Sequence, residues 1–183
     1  CSDRVYGFIY ENENEELKKR KAVILFHGYN SCQQALEHIA LRLANEGCLT
    51  MTVDFRGGGN DCISMGSSLD MSLKTEVEDA SGAVEFINRT RKGQFDELYF
   101  YGESQGGLVS SLTAASLGDK VAGLFLLYPA FCIPDDMGQV IIPEDGKYHL
   151  MGMDISKKFI DELPQFDVFE MMKFYGVRKS TRL

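Results

Sequence analysis

The 183-residue sequence predicts an α/β fold built on a mostly parallel β-sheet. Two observations support this prediction. Short apolar runs of strand length alternate with segments of helical period along most of the chain, and no internal repeat or low-complexity segment interrupts the alternation. Strands that alternate with helices in this way are joined by βαβ crossovers, which give parallel strands with helices on both faces of the sheet. We therefore expect a single domain over residues 1–183.

The first half of the chain contains predicted strands at residues 5–10, 22–26 and 49–53, and predicted helices at residues 32–46 and from Ser72 onwards. The second strand is apolar throughout, which is typical of a strand buried on both faces. The helix of residues 32–46 is closed by Gly47, because glycine is favoured just after a helix end. Ser72 with Thr75 and Glu76 indicates a helix start, and the apolar face of that helix includes Val77, Ala80, Val84 and Ile87.

The second half continues the alternation as far as Pro129 and then changes character. A strand at residues 98–101, a helix at 107–117 and a strand at 121–127 are predicted. Beyond Pro129 the pattern indicates an insertion over the sheet edge at residues 130–155, followed by short helices near 156–163 and 166–174.

Composition argues against several classes of function. The formal net charge of −8 disfavours a nucleic-acid or anionic-membrane surface. The longest apolar run, residues 121–133, is too short to span a bilayer. The five cysteines are odd in number and form no C-x-x-C pair, which favours a reducing, cytoplasmic location and gives no support to a metal site. No cofactor-binding motif is present, and the chain begins at Cys1, which indicates processing, trimming or a fragment.

The motif with the clearest chemistry is Gly102-Glu103-Ser104-Gln105-Gly106, which matches G-x-S-x-G. An apolar strand leads into it and an apolar-faced helix follows it. In this context the pattern predicts a sharp strand-to-helix turn that exposes Ser104 as a nucleophile, with Gly102 and Gly106 allowing the chain to approach itself closely. The alternative is a glycine-rich turn with an inert serine.

Backbone N–H groups near this turn are candidate oxyanion donors. The first is the N–H of Gln105, the residue after the nucleophile, at a helix N-terminus. The second is the N–H of Tyr29, in the loop that follows the buried strand of residues 22–26. His27 opens the same loop, and we expect it to be a structural group at the end of a buried strand and not the catalytic base.

These motifs together resemble bacterial α/β-hydrolases of the feruloyl- and cinnamoyl-esterase type, grouped with the serine-aminopeptidase-like hydrolases. The resemblance covers about residues 6–175 and rests on Phe26-His27-Gly28-Tyr29, Val53-Asp54-Phe55-Arg56-Gly57-Gly58-Gly59, Asp70-Met71-Ser72, Gly102–Gly107 and Leu127-Tyr128-Pro129-Ala130-Phe131. It implies a serine esterase acting on a small-molecule ester. It also implies a lid over residues 130–165, whose apolar residues would shape the acyl pocket: Phe131, Ile133, Met137, Ile141, Ile142, Tyr148, Leu150, Met151 and Met153. The alternative for each is ordinary packing of an insertion.

The resemblance also implies a triad acid and then a histidine beyond the segment of residues 166–175. The sequence instead turns polar over Val177–Arg182 and ends. We therefore expect a fold that lacks its last strands, through truncation or a frameshift near Gly176, and a chain with impaired activity. His149, in the lid, is the alternative base, since His38 lies on the helix of residues 32–46. The alternative acids are Asp135 and Asp136, whereas Glu103 is expected to point away from the pocket.

Two other functions remain open at this point. A non-catalytic product or binding module would expose an apolar sheet edge through which homo-oligomers could form. A serine peptidase would cleave amides in preference to esters.

Overall fold

The computed structural model describes residues 4–14, 16, 18, 20–173 and 175. Its helices and strands are, in chain order, β1 (Gly7–Tyr10), β2 (Lys21–Phe26), α1 (Glu37–Asn45), β3 (Leu49–Val53), α2 (Leu73–Thr90), β4 (Glu97–Glu103), α3 (Gln105–Leu117), β5 (Gly123–Leu127), α4 (Ile133–Met137), β6 (Lys147–Leu150), β7 (Met153–Ser156), α5 (Lys157–Glu162) and α6 (Val168–Met172). The predictions for Cys1 and for the polar end Val177–Arg182 lie outside the described residues.

A five-stranded sheet in the order β1-β3-β2-β4-β5 forms the centre of the fold. β3, β2, β4 and β5 run parallel, and β1 pairs antiparallel with β3. Phe26 of β2 is in register with Val53 of β3 and Gly102 of β4, so the carboxyl ends of the three central strands meet at one edge. Loops at this edge of a parallel sheet commonly carry the functional groups. The predicted mostly parallel α/β architecture is confirmed.

Helices cover the sheet on both faces. Every residue of the central strand β2 after Lys21 is therefore buried. Ile24 and Phe26 pack into a core shared with α2 and α3, whereas Val23 and Leu25 pack with α1 on the other face. This division follows from the alternation of side chains along a strand. The Phe26 ring lies edge-on to Phe100, with 5.3 Å between centroids. Complete burial of one such side chain contributes about 1.5–3 kcal/mol to stability.

The helix α2 begins as the sequence predicts. Ser72 Oγ accepts a hydrogen bond from the backbone N–H of Thr75, and Thr75 Oγ1 accepts one from the N–H of Ser72. This reciprocal pair satisfies two backbone donors that the first turn of a helix leaves unpaired. The helix is also tied to the loop after β3, because Arg56 Nε contacts Asp79 Oδ1 at 2.5 Å.

The insertion after Pro129 contains a hairpin that the sequence pattern did not reveal. β6 and β7 pair antiparallel as a separate two-stranded sheet, and the turn between them places Met151 and Gly152 at positive φ (44° and 84°). The hairpin packs through Met153 and Ile155, which are buried. The short helices predicted near residues 156–163 and 166–174 are confirmed as α5 and α6. None of the described helices is long and apolar enough to cross a membrane.

Candidate active site

Ser104 stands alone between a strand and a helix at the carboxyl edge of the sheet. β4 ends at Glu103 and α3 begins at Gln105, and Ser104 adopts φ 49° and ψ −119°. A residue with a side chain is strained at positive φ and keeps this conformation only where its surroundings hold it there. Here the Ser104 N–H donates to the Leu127 carbonyl at 3.1 Å, and the Ser104 carbonyl accepts from the N–H of Ala130 at 2.9 Å. The sharp reversal that G-x-S-x-G predicts is therefore present.

The two glycines of the motif have a steric reason to be glycine. A Cβ on Gly102 would collide with the Gly106 carbonyl oxygen and with Ser110 Oγ. A Cβ on Gly106 would collide with the carbonyl oxygens of Phe26 and His27, at the end of β2. The helix α3 thus starts in direct backbone contact with the neighbouring strand, and any side chain would push the serine turn away from it.

One residue predicted to carry an oxyanion donor, Gln105, directly follows Ser104, and the other, Tyr29, lies in a loop that packs against the serine turn. Gln105 is the first residue of α3, so its N–H lies at the helix N-terminus and has no intrahelical acceptor. Gly28 brings the loop after β2 against the turn, because a Cβ added to it would lie 3.1 Å from Ser104 Cβ. Within the part of the chain that the structure describes, the N–H groups of Tyr29 and Gln105 donate to no protein acceptor. Both are therefore available to a ligand.

Side chains of this loop attach it to the hairpin. Tyr29 Oη donates to the Met153 carbonyl at 3.3 Å, and Asn30 Nδ2 donates to the Met151 carbonyl at 2.9 Å. Burial raises the pKa of Tyr29 to about 12, with smaller effects from Asp154 and Glu76. The phenol therefore stays protonated and keeps donating at neutral pH. The hairpin thus fixes the backbone that presents the Tyr29 N–H.

His27 is a structural residue, as expected from the sequence. Its Nε2 accepts a hydrogen bond from the Phe55 N–H at 3.1 Å, so the proton is on Nδ1, which donates to the Gly28 carbonyl at 2.8 Å. The side chain is buried, and burial lowers its pKa despite the nearby Asp54 carboxylate. A neutral imidazole with both nitrogens engaged has no lone pair for the Ser104 hydroxyl.

His27, Asp54 and Cys62 come close enough to suggest a metal centre, with potential ligand atoms all within 4.8 Å of one another. Each of these atoms already has a partner. Asp54 accepts from the N–H groups of Gln33 and Ile63, and Cys62 Sγ donates to the Ser31 carbonyl at 3.1 Å. Burial raises the pKa of the Cys62 thiol, which disfavours the thiolate that a metal requires. The cluster is a hydrogen-bonded support for the loops after β2 and β3.

Among the described residues, no general base contacts Ser104. The Ser104 hydroxyl makes no hydrogen bond with a side chain in this part of the chain. His149 Nδ1 pairs with Asp154 at 2.8 Å, and its side chain is 70% exposed. His38 is exposed on α1, and Asp135 and Asp136 are exposed on α4. The structure shows no contact between Ser104 and either alternative suggested by the sequence, a lid histidine or an α4 acid.

Glu103 is held away from the serine, as the sequence suggested. Its two carboxylate oxygens accept from Tyr101 Oη at 2.7 Å and from Tyr128 Oη at 3.3 Å. Burial and the adjacent carboxylate raise the pKa of Tyr101, so its phenol remains a donor. The carboxylate is therefore occupied by two phenols.

The sequence analysis used Glu76 only as a sign of a helix start and missed its place at the site. Gln105 Nε2 donates to Glu76 Oε2 at 2.7 Å, and both side chains are buried. A signal was available, because Glu76 lies four residues before Ala80 and so falls on the apolar stripe of α2. A carboxyl on that stripe has to point into the protein.

The apolar residues predicted to shape a pocket in the insertion divide into two groups. Met153 is buried, and Phe131, Ile133, Met137, Tyr148 and Leu150 pack partly against the main core. Ile141 and Met151 are 88% and 77% exposed. Six of the nine residues therefore take part in the packing of the insertion.

Several solved structures have a fold similar to that of this chain. The chain is similar to Est1E from Butyrivibrio proteoclasticus, solved with bound ferulic acid, at 21% identity and a TM-score of 0.75, covering 94% of this chain and 72% of Est1E. It is also similar to the monoacylglycerol lipase of Paleococcus ferrophilus (16% identity, TM-score 0.64, 93% and 72% coverage). Mouse α/β hydrolase domain-containing protein 10 gives 16% identity and a TM-score of 0.64, with 89% and 66% coverage.

Sequence comparison gives the family. No curated protein sequence matches the chain. The profile of the serine aminopeptidase S33 family matches residues 17–159, a segment that includes the serine turn, the loop after β2 and both strands of the hairpin. The chain therefore belongs to the serine aminopeptidase S33 family and has the α/β-hydrolase fold.

Proposed function

We propose that this protein is a serine hydrolase that cleaves carboxylic esters through an acyl-Ser104 intermediate. The observation that carries the proposal is the position of Ser104, held at φ 49° beside two backbone N–H groups that have no protein acceptor among the described residues. Ser104 Oγ attacks the acyl carbonyl, and the N–H groups of Gln105 and Tyr29 stabilise the oxyanion of the tetrahedral intermediate. Collapse breaks the acyl–oxygen bond and expels the alcohol, and the proton that Ser104 Oγ gives up passes through solvent to this leaving group. Water then attacks the acyl-Ser104 carbonyl, which releases the acid and returns a proton to Ser104 Oγ.

The rate of this reaction depends on a general base. A serine hydroxyl stays protonated near neutral pH and is a weak nucleophile without one. Because the described residues bring no histidine to Ser104, we expect them to support slow acylation. Oxyanion stabilisation and binding alone give roughly 10³–10⁴-fold acceleration over water in enzymes whose triad has been removed.

Esters are favoured over amides because of the leaving group. An alkoxide or phenoxide departs more readily than an amine anion, so an ester is the substrate that a serine with weak activation can still cleave. The similarity to structures of Est1E with ferulic acid and of a monoacylglycerol lipase supports the same substrate class.

The proposal includes a single catalytic domain over residues 1–183 with residues 130–165 as its lid. The tip of the hairpin is tied to the loops around the site: Asn60 Nδ2 donates to the Gly152 carbonyl at 3.0 Å, and Asn30 Oδ1 accepts from the Asn60 N–H at 3.1 Å. This contact supports a lid that sits over the oxyanion donors. A small acyl or aryl ester would bind beneath it, without cofactor or metal.

The cysteines support a cytoplasmic location, which is likewise a proposal. The thiols of Cys32, Cys48, Cys62 and Cys132 are free, which supports a reducing, cytoplasmic location.

Self-association stays a prediction: β5 is one of the two edge strands of the described sheet, and its Phe125 and Leu127 side chains are 56% and 43% exposed. A second copy pairing along β5 would cover them, and a monomer in size-exclusion chromatography would contradict this.

Hydrolysis of p-nitrophenyl acetate tests the proposed activity. We expect release of p-nitrophenolate that Ser104→Ala abolishes and that Ser116→Ala, a matched change at an exposed serine of α3, leaves unchanged. Equal rates for the wild-type chain and Ser104→Ala would contradict the proposal. Cleavage of p-nitroanilides but not of esters would identify a peptidase.

A further inference from the structure

A buried carboxyl group lies behind the proposed oxyanion hole. Glu76, in the first turn of α2, is 1% exposed, and its Oε2 accepts a hydrogen bond of 2.7 Å from Gln105 Nε2. Gln105 is equally buried and also lies 3.9 Å from Met71 Sδ. The same residue that offers its backbone N–H to an oxyanion is therefore held through its side chain by Glu76.

The surroundings of Glu76 contain no compensating cation among the described residues. The titratable groups that face it are Asp79 on its own helix, Tyr29 in the loop after β2 and Cys62 in the loop after β3. Each of these is neutral or negative. The guanidinium of Arg56 is directed at the Asp79 carboxylate: Arg56 Nε donates to Asp79 Oδ1, and the Arg56 backbone N–H donates to Asp79 Oδ2.

Burial without a cation favours the protonated acid. Desolvation raises the pKa of Glu76 to about 8, even though the hydrogen bond from Gln105 lowers it, and the charge of Asp79 raises it further. At pH 7 the carboxyl group is therefore mostly neutral. Its carbonyl oxygen still accepts from Gln105 Nε2 in that state.

We propose that Glu76 is a positioning residue for the oxyanion hole, which fixes Gln105 through its side chain. The inference rests on the proposed function of Ser104 and deepens it. Gln105 is the first residue of α3, and a hydrogen bond at the end of its side chain restricts rotation of the residue that carries the donor. A neutral partner can do this without opposing the charge that develops in the transition state.

The inference predicts a dependence on pH. Above about pH 8 the ionised Glu76 places a negative charge at the end of the Gln105 side chain, behind the proposed oxyanion donor. Two like charges about 8–12 Å apart, at an effective dielectric constant of about 20, repel enough to slow the reaction roughly ten- to thirtyfold. The rate of acylation should therefore fall, or stop rising, above this pH.

Glu76→Gln and Glu76→Ala test the two halves of the inference. The Gln variant keeps an acceptor for Gln105 Nε2 but cannot ionise, so the step near pH 8 should disappear while the rate at pH 7 stays close to that of the wild-type chain. The Ala variant removes the hydrogen bond, and we expect acylation by p-nitrophenyl acetate to slow roughly tenfold with little change in KM. This is smaller than the roughly 10²–10³-fold fall in kcat that follows the loss of a whole oxyanion donor. Glu85→Gln, at an exposed position of the same helix, is the matched control and should match the wild-type chain at every pH.

A second measurement separates failure of this inference from failure of the proposed function. In ¹⁵N NMR, the backbone amide of Gln105 should shift with a midpoint near pH 8 in the wild-type chain and should not do so in Glu76→Gln. If Ser104 is never acylated but this titration is present, the esterase proposal fails and the coupling between Glu76 and Gln105 stands. A pH step that survives in Glu76→Gln, a Gln105 amide that does not titrate, or a wild-type rate in Glu76→Ala would each overturn the inference.

Discussion

Replacing Glu76 by glutamine should change how the stability of the fold depends on pH. In the unfolded chain the Glu76 carboxyl group ionises near its ordinary value of 4.5, whereas burial in the folded protein raises the pKa to about 8. Between these values the folded state holds a proton that the unfolded state has lost. The free energy of unfolding must therefore fall as the pH rises through this window, with the contribution fully present below it and lost above it.

The size of the effect follows from the width of the window. Each unit of pKa difference corresponds to about 1.4 kcal/mol, so the loss is on the order of a few kcal/mol. Asp79, whose pKa burial also raises, and His27, whose pKa burial lowers, titrate in both proteins. The effect of His27 cancels in the difference between wild-type chain and variant. Asp79 faces Glu76, so the difference reports Glu76 together with its coupling to Asp79.

Urea unfolding followed by far-ultraviolet circular dichroism is a suitable assay, because the chain has no tryptophan to report by fluorescence. As the pH rises from about 5 to about 8, we expect the free energy of unfolding of Glu76→Gln to rise relative to that of the wild-type chain, by a few kcal/mol in total. Glu85→Gln should follow the wild-type chain throughout. Parallel stability curves for the wild-type chain and Glu76→Gln would refute the assignment of a neutral buried carboxyl group.

Three further predictions concern the framework of the site. Arg56→Met leaves the buried Asp79 carboxylate without its cation, and we expect a loss of about 3–5 kcal/mol in urea unfolding; a loss near zero would show that the pair is unimportant. Gly106→Ala should abolish acylation of Ser104, because the added methyl group meets the backbone at the end of β2; wild-type acylation would contradict this packing. Ser72→Ala removes the acceptor for the Thr75 N–H and should lower the free energy of unfolding by about 1 kcal/mol, measured by thermal denaturation.

The fold was largely predictable because its signals are local. The buried run Ala22–Phe26, the capping pattern at Ser72 and the glycine after α1 each depend on residues close together in sequence. The β6–β7 hairpin was missed because its strands are four residues each and its turn uses Met151 at positive φ, a residue that sequence rules do not associate with such a turn. Short strands at unfavourable turns become visible only through their packing.

The candidate site was predictable only in its local part. G-x-S-x-G is contiguous, so the serine turn followed from the sequence, and the structure supplies steric reasons for both glycines. The partnership of Glu76 with Gln105 joins residues 29 positions apart, which no local pattern reveals.

Intact-mass spectrometry with peptide mapping, after incubation of the chain with p-nitrophenyl acetate, tests the central claim most directly. We predict one acetyl group on the peptide that contains Ser104, absent in Ser104→Ala and retained in Ser116→Ala. Acetylation confined to lysine side chains, with the Ser104 peptide unmodified and p-nitrophenolate release equal in the wild-type chain and Ser104→Ala, would contradict the assignment of Ser104 as the nucleophile.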